Sequence, residues 1–126
     1  MGGIYIASKI RHASKWKNLR KEGRPIVSMW IDQDYTEDPT ELRDLWVSCI
    51  EEAKQCSCLI LYSEDSEDLK GAVAEVGAAL AGGAKVLFVG PVIGSGTIAH
   101  HPSVTRMESI EQAIEAALKI CNDDRV

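Results

Sequence analysis

Residues 59–90 read LILYSEDSEDLKGAVAEVGAALAGGAKVLFVG, and this stretch decides the fold. The apolar run Leu59–Tyr62 is typical of a buried strand, and Val86–Val89 is a second such run. Between them, Gly71–Gly83 carries small apolar residues at helical spacing and ends in a glycine pair, as helices often do. The polar loop Ser63–Asp68 joins the first strand to this helix. A strand–helix–strand unit of this kind predicts parallel strands with a right-handed crossover.

The same alternation continues on both sides of this unit. Alternating strands and helices predict one α/β domain over residues 1–126, a three-layer sandwich with a mostly parallel five-stranded sheet, flavodoxin-like or Rossmann-like. The other predicted elements are the strand Ile4–Ala7, a helix ending near Arg20, the strand Pro25–Ile31, a helix from Glu41 to about Lys54 capped by Thr40, the short strand Ser103–Arg106, and a helix from Ile110 to about Cys121 capped by Ser109.

Composition narrows the class of protein. With 126 residues, 45% hydrophobic and 26% charged, the chain has an ordinary globular composition. No apolar run reaches the length of a membrane span, and the first residues lack a signal peptide pattern, so we expect a cytoplasmic protein without membrane contact. The four cysteines lack zinc-finger spacing and are predicted to be free, mostly buried thiols: Cys49, Cys56, Cys58 and Cys121.

Charge is distributed unevenly along the chain. Residues 1–25 hold seven lysines and arginines against Glu22 alone, a charge of +6, which leaves −11 for the remainder of the net −5. One interpretation is a phosphate-bearing partner near this segment, and the other is a solvated, lysine-rich helix face. The overall acidity argues against binding of polymeric nucleic acid.

Three loops are predicted to meet at the carboxyl edge of the sheet: Ser8–Ser14, Ser63–Lys70 and Pro91–His101. Strand order should reverse between the first and third strands, so the first two loops should flank a crevice. Glu75 lies in the second turn of the following helix, at the edge of its apolar stripe. Cations on one loop and carboxylates on the other suit a ligand with an anionic end and an electron-poor centre, such as a nucleotide. From the pattern alone, the favoured interpretation of Glu75 is an ordinary helix-edge glutamate in a surface ion pair.

Several familiar motifs are absent from the sequence. The first strand is not followed by GxGxxG, and the chain contains neither a P-loop nor a serine nucleophile elbow. The adjacent pair His100–His101 would point to opposite sides of an extended segment, so a shared metal is not expected and a surface role is predicted. We therefore expect neither a cofactor nor a metal.

Two stretches resemble the nucleoside 2-deoxyribosyltransferase superfamily. They are IYIAS, which contains Tyr5, and DLKGAVAEVGAALAGGAKVLFVG, which contains an E-x-G-x-A element at Glu75, Gly77 and Ala79. The superfamily includes transferases that exchange bases on deoxyribose and N-glycosidases that cut nucleoside monophosphates. The resemblance implies the same class of chemistry here, and a homodimer or higher homo-oligomer.

The resemblance also implies roles for individual residues. Glu75 would be the nucleophile that attacks C1′ of the sugar, and the helix N-terminus nearby would favour its anion. Asp68 would protonate the departing base, and Tyr5 would orient Glu75. The remaining predicted residues bind substrate: Ser8 and Arg11 at a 5′-phosphate, with Trp30, Ser63 and Gly71.

Two alternatives remain open at this point. The family's aspartate in the helix before the third strand has no counterpart here, since Ser48, Cys49 and Ile50 occupy that region. This departure favours a non-catalytic nucleotide-binding module, a sensor or sponge, on the same fold. An NAD glycohydrolase is the third hypothesis, although the short chain argues against a groove for a dinucleotide.

Overall fold

The computed structural model describes residues 2–65, 67–91 and 93–123, and these form four strands and four α-helices. Short 3₁₀ segments lie at Ile10–His12, Met29–Asp32 and Ile93–His100, and the first of them leads directly into an α-helix. The regular elements are β1 (Ile4–Ala7), α1 (Ala13–Lys21), α2 (Pro39–Gln55), β2 (Cys58–Tyr62), α3 (Lys70–Ala81), β3 (Lys85–Val89), β4 (Val104–Met107) and α4 (Ile110–Asp123).

The four strands form one parallel sheet in the order β1-β2-β3-β4. Tyr5 lies opposite Leu59, Leu59 opposite Val86, and Val86 opposite Val104. Helices cover both sides of the sheet, which explains why β1 to β3 are almost entirely apolar. The predicted three-layer α/β architecture is confirmed, with four strands rather than five. On the outer side of β1, Ile26 forms an isolated parallel bridge to Ile4, whereas β2 pairs with the opposite edge of β1, so the order in which the chain adds to the sheet reverses here.

The prediction of a fifth strand over Pro25–Ile31 is wrong. Only Ile26 pairs with β1, and the chain then enters the 3₁₀ turn Met29–Asp32. Two side chains satisfy the backbone of β1 where a fifth strand would have done so. The backbone N–H of Ile6 donates to Ser28 Oγ at 3.1 Å, and Trp30 Nε1 donates to the carbonyl of Ile6 at 2.7 Å. The edge of β1 therefore needs no further strand.

Helix α2 begins two residues earlier than predicted. Asp38, and not Thr40, is the N-cap, because the Asp38 carboxylate accepts a hydrogen bond from the backbone N–H of Glu41 at 3.2 Å. Pro39 occupies the first helical position, where its missing N–H costs nothing. The predicted cap of α4 is confirmed, since Ser109 Oγ accepts from the N–H of Gln112 at 3.1 Å.

The cysteines agree with the prediction of buried thiols. All four belong to the described residues and are buried, and none of them forms a disulfide. Cys58 opens β2, whereas Cys56 lies before that strand as the C-cap of α2, so the two do not share a strand. Among the described residues, no helix has both the length and the apolar character that crossing a bilayer requires.

Gly82 is where the ends of α2 and α3 touch. A Cβ on Gly82 would lie 2.0 Å from the carbonyl oxygen of Lys54. Gly77, in the middle of α3, has nothing within 4 Å of its equivalent position. The close approach explains the glycine after α3, while the glycine inside the helix has no such packing requirement in the chain itself.

These two glycines provide a matched test of the packing between α2 and α3. We expect Gly82→Ala to lower the free energy of unfolding by about 1–3 kcal/mol, because backbone must move to accept the methyl group. Gly77→Ala should raise it by about 0.5–1 kcal/mol through helix propensity. Urea denaturation of both variants measures the difference. Equal effects of the two substitutions would contradict this account of the helix contact.

Candidate active site

Glu75 is a buried carboxylate on α3. Only 8% of the residue is exposed, although it carries an ionisable group. Its neighbours along the helix stripe, Ala72, Val76 and Ala79, pack into the core and fix the orientation of α3 on the sheet. The interpretation of Glu75 as an ordinary surface ion pair is therefore wrong. Burial of a carboxylate costs free energy unless it has hydrogen-bond partners.

Tyr5 supplies such a partner, and Cys49 lies beside it. The Tyr5 hydroxyl donates a hydrogen bond to Glu75 Oε2 across the sheet–helix interface. The Cys49 thiol, on α2, lies beside the Glu75 carboxylate and the Tyr5 hydroxyl. Three elements that are distant in sequence thus converge on one carboxylate. Tyr5 reaches it because its side chain leaves β1 on the face that α3 covers.

Burial controls the protonation of all three groups. The pKa of Glu75 is raised from 4.5 to about 7, because burial and the nearby charge of Glu52 raise it by more than Tyr5 and Cys49 lower it. Burial and the Glu75 charge raise the pKa of Tyr5 well above its usual value, so the phenol stays protonated. Burial raises the pKa of Cys49 to about 11, so it remains a thiol. At neutral pH, Glu75 is the group of this triad that exchanges a proton.

Glu75 opens into a cavity of about 320 Å³. This volume is in the range of small-molecule sites, which are usually apolar with a few polar groups. Its charged lining residues are one cation, Lys9, and three acidic residues, Asp34, Asp68 and Glu75. The large apolar side chains that line it are Ile10, Trp30, Tyr35, Leu42, Leu45, Trp46 and Leu69.

Two residues of α2 show how the cavity is built. Helical spacing places Leu42 and Trp46 on one face of α2 with Cys49, but these two residues are 36% and 42% exposed. Both line the cavity, so the apolar stripe of α2 is shared between the core and the cavity wall. Gly71 lies opposite, and a Cβ there would approach the Trp46 ring to 3.3 Å. The glycine thus leaves room for the indole.

The two loops that flank the crevice are joined by ion pairs. Arg11 contacts Glu67 at 2.7 Å and Glu64 at 3.4 Å, and Lys15 contacts Glu64 at 3.1 Å. His12 Nε2 lies 2.8 Å from Glu67 Oε2. The hydroxyl of Tyr62 and the Lys15 ammonium lower the pKa of Glu64 to about 2, so it is ionised at neutral pH. His12, Glu64 and Glu67 have the spacing of metal ligands, but Arg11 and Lys15 already balance both carboxylates.

The structure brings most of the predicted site residues together. Glu75, Asp68, Ser8, Trp30 and Gly71 all line the cavity, and the buried Tyr5 reaches it through Glu75. Ser8 Oγ accepts from Trp16 Nε1 at 2.9 Å, which holds the loop after β1 in place. The Asp68 side chain is 61% exposed and accepts a hydrogen bond from the backbone N–H of Lys70.

Two of the predicted site residues, and the histidine pair, do not line the cavity. Ser63 is buried beneath the sheet edge, where its Oγ donates to the carbonyl of Pro91 at 2.7 Å, and it does not line the cavity. Arg11 lies just outside, in its ion pairs with the acidic loop. His100 and His101 are both exposed, in agreement with the predicted surface role, and His101 Nδ1 accepts from the backbone N–H of Ser103.

Sequence reasoning missed Cys49 as a member of the site. It treated this position only as a departure from a family pattern, although the stripe of α2 places Cys49 on the same face as Leu45 and Trp46. It also missed Glu52, one turn further along α2, whose charge acts on Glu75. The signal available was helical spacing, since residues three or four apart share a face.

Comparison with known proteins agrees with the fold and goes no further. No protein-family model and no curated protein sequence matches the chain. Among solved structures, the chain resembles a 2-deoxyribosyltransferase from the psychrotolerant bacterium Bacillus psychrosaccharolyticus, with a TM-score of 0.63 and 19% identity over 90% of each chain. That protein is described as a biocatalyst for the synthesis of antiviral and antitumoral nucleosides. The resemblance to the deoxyribosyltransferase superfamily is thus confirmed at the level of the fold.

Proposed function

We propose that this protein cleaves or exchanges the N-glycosidic bond of nucleosides or their 5′-monophosphates, with Glu75 as nucleophile. The observation that carries the proposal is the Glu75 carboxylate itself, buried, held by Tyr5 with Cys49 beside it, and open on one side to a cavity of about 320 Å³. A structural carboxylate needs no such opening. The similarity in fold to a deoxyribosyltransferase supports the same class of reaction.

The proposed mechanism has two steps. The ionised Glu75 oxygen attacks C1′ and forms a glycosyl ester, while the C1′–N bond breaks and its electron pair leaves with the base. Asp68, which lines the same cavity, donates a proton to the departing base. Water or a second base then attacks C1′, gives its proton to the Asp68 carboxylate, and breaks the ester bond, so that Glu75 is released as a carboxylate. Tyr5 fixes the carboxylate for in-line attack by holding Oε2 and leaving Oε1 for C1′.

The apolar wall of the cavity supports an aromatic ligand. Trp30, Tyr35 and Trp46 offer ring faces and edges, and stacking against such rings is favourable for a planar base. Trp30 is fixed by its hydrogen bond to the Ile6 carbonyl, so one wall is rigid. Tyr35 is 79% exposed and stands at the rim. The polar side of the cavity, with Ser8 and Glu75, suits a sugar.

A panel assay tests the proposal. The protein is incubated with deoxynucleosides, ribonucleosides, their 5′-monophosphates and NAD, with and without a second free base, and the products are separated by chromatography. Base release without acceptor indicates a hydrolase, and a new nucleoside in its presence indicates a transferase. Release of nicotinamide indicates the NAD glycohydrolase. Absence of any product from the whole panel would contradict the proposed reaction.

A non-catalytic binding module is the second candidate, and one observation favours it. Cys49, a protonated thiol, stands beside Glu75, and the region of Ser48, Cys49 and Ile50 lacks the aspartate that the family resemblance implies. A site of this kind still has the shape and the aromatic wall needed to hold a nucleoside. Calorimetric binding of an intact nucleoside, with no product after prolonged incubation, would select this alternative.

The charge of Glu52 should be visible in the pH profile. The reaction requires ionised Glu75, so its rate should rise with pH and reach half of its plateau near pH 7, the pKa of Glu75. Glu52→Gln removes a negative charge that raises this pKa, and its amide oxygen can still accept from the N–H of Met29. We expect the acid limb of the profile to move to lower pH with little change in the plateau.

The neighbouring residue on α2 is the control for this shift. Glu51 is exposed and hydrogen-bonded to Gln55, so Glu51→Gln should leave the profile unchanged. Initial rates of base release between pH 5 and 9 measure both variants. A shift to higher pH in Glu52→Gln, or an equal shift in both, would contradict the assignment of the titrating group to Glu75.

A further inference from the structure

A second cavity adjoins the Glu75 cavity. It has a volume of about 500 Å³, and we refer to it as the outer cavity. The two share Lys9, Ile10 and Asp68 in their walls, so they lie side by side at this point. A ligand that contacts Glu75 and extends past Asp68 would reach Arg11, which lines the outer cavity. Any group that is bound to the Arg11 guanidinium therefore affects which ligands fit.

The carboxylate of Glu67 is already bound to the Arg11 guanidinium. Arg11 Nε donates to Glu67 Oε2 at 2.8 Å, and Nη2 lies 2.7 Å from the same oxygen. The Glu67 side chain is only 5% exposed, although its arginine partner is 60% exposed. Guanidinium groups bind carboxylates and phosphates through the same donor edge. Glu67 thus makes the contacts that a phosphate at this place would need.

Glu67 is held firmly in this position. Its Oε1 accepts from the backbone N–H of Glu64 at 2.7 Å, and His12 Nε2 lies 2.8 Å from its Oε2. These hydrogen bonds and Arg11 lower the pKa of Glu67 in spite of its burial, so it remains charged at neutral pH. Displacement by a ligand would have to break contacts with three residues. A weakly bound external phosphate would not compete.

The charge of the outer cavity also opposes a phosphate. Lys9 and Arg11 face Asp65, Glu67 and Asp68, which gives a formal charge of −1. A phosphate monoester carries about −1.5 to −2 at pH 7 and would be repelled. Removal of the Glu67 charge alone would make the cavity formally neutral and leave Arg11 with only its longer contact of 3.4 Å to Glu64.

We propose that Glu67 determines specificity: its carboxylate occupies Arg11 and restricts the site to nucleosides in preference to nucleoside 5′-monophosphates. The identity of the ligand rests on the proposed function, whereas the occupation of Arg11 does not. The proposal assigns to the acidic loop after β2 the role of an internal substitute for a phosphate. It also predicts that one substitution converts the outer cavity into an anion site.

The first test uses inorganic phosphate, which needs no assumption about the reaction. Titration calorimetry at low salt should show no binding to the unaltered protein at millimolar phosphate. Glu67→Gln and Glu67→Ala should both bind phosphate. We expect their affinity to exceed that of the unaltered protein by about tenfold or more. Adding Arg11→Ala to Glu67→Gln should remove the gain. Circular dichroism confirms that each variant is folded.

Asp65→Asn is the matched control. Asp65 lines the same outer cavity and loses the same charge, but it forms no ion pair within residues 2–65, 67–91 and 93–123. It should therefore gain no phosphate affinity. Equal gains in Asp65→Asn and Glu67→Gln would overturn the proposal in favour of a general charge effect. Absence of a gain in both Glu67 variants, or its persistence without Arg11, would overturn it as well.

The second test links this site to the substrate. Binding of 2′-deoxyadenosine and of its 5′-monophosphate is compared in the unaltered protein and in Glu67→Gln. We expect the ratio of the two dissociation constants to move toward the monophosphate by about tenfold, with nucleoside binding unchanged. If the phosphate test succeeds but no variant releases base from any substrate, the proposed reaction fails and the role of Glu67 stands. An unchanged ratio overturns the specificity role.

Discussion

Glu75→Gln is expected to reduce the rate of base release by about 10³-fold or more, because an amide cannot form the glycosyl ester. Glutamine has nearly the same shape, and its amide oxygen can still accept the hydrogen bond from Tyr5. The cavity should therefore keep its form and continue to bind the nucleoside. A large loss in kcat with a KM close to that of the unaltered protein is the expected signature.

The control for this prediction is a glutamate outside the site. Glu115 is exposed on α4, and Glu115→Gln should release base at the unaltered rate. Steady-state rates with the best nucleoside of the panel measure all three proteins. If Glu75→Gln retains the activity of Glu115→Gln, then Glu75 is not the nucleophile and the mechanism proposed here is wrong.

The same substitution should make the protein more stable above neutral pH. In the unfolded chain Glu75 loses its proton near pH 4.5, whereas in the folded protein its pKa is about 7. Between these values the folded state binds more protons, so stability falls as pH rises and stays reduced above pH 7. The difference corresponds to a cost on the order of 3 kcal/mol, which Glu75→Gln avoids.

Urea denaturation at several pH values tests this prediction. At pH 8 we expect Glu75→Gln to exceed the unaltered protein by up to about 3 kcal/mol, and near pH 4 the two should coincide, since both side chains are then neutral. Glu115→Gln should show no pH-dependent difference. A constant offset at every pH, or lower stability of Glu75→Gln at pH 8, would contradict the burial of a charge at this position. Residues of active sites commonly lower the stability of the folded protein, because their arrangement serves the reaction.

The parallel sheet was predictable because buried strands carry a strong local signal. IYIA, LILY and VLFV are uninterrupted apolar runs bounded by turn residues, and each forms a strand. Pro25–Ile31 is equally apolar but does not form one. Its conformation depends on Ser28 and Trp30 meeting Ile6, a tertiary contact that local composition does not report.

The site was predictable in its centre and not at its rim. Helical spacing and the order of the elements brought Glu75 to the crevice, and the resemblance suggested Tyr5 beside it. The same spacing did not distinguish the core from the cavity wall, because Leu42 and Trp46 are apolar in either place. Opposite charges on the two loops were recognised, but their pairing with each other depends on distances that only the folded chain sets.

The closed edge of β1 has a consequence for association between molecules. Unpaired strand edges can align with those of other molecules and start intermolecular sheets and fibrils. Here the outward backbone groups of Ile4 bond to the segment around Ile26, and those of Ile6 bond to Ser28 and Trp30. An incoming strand finds no free donor or acceptor at these positions. The indole that forms a wall of the cavity therefore also protects the protein against aggregation through this edge.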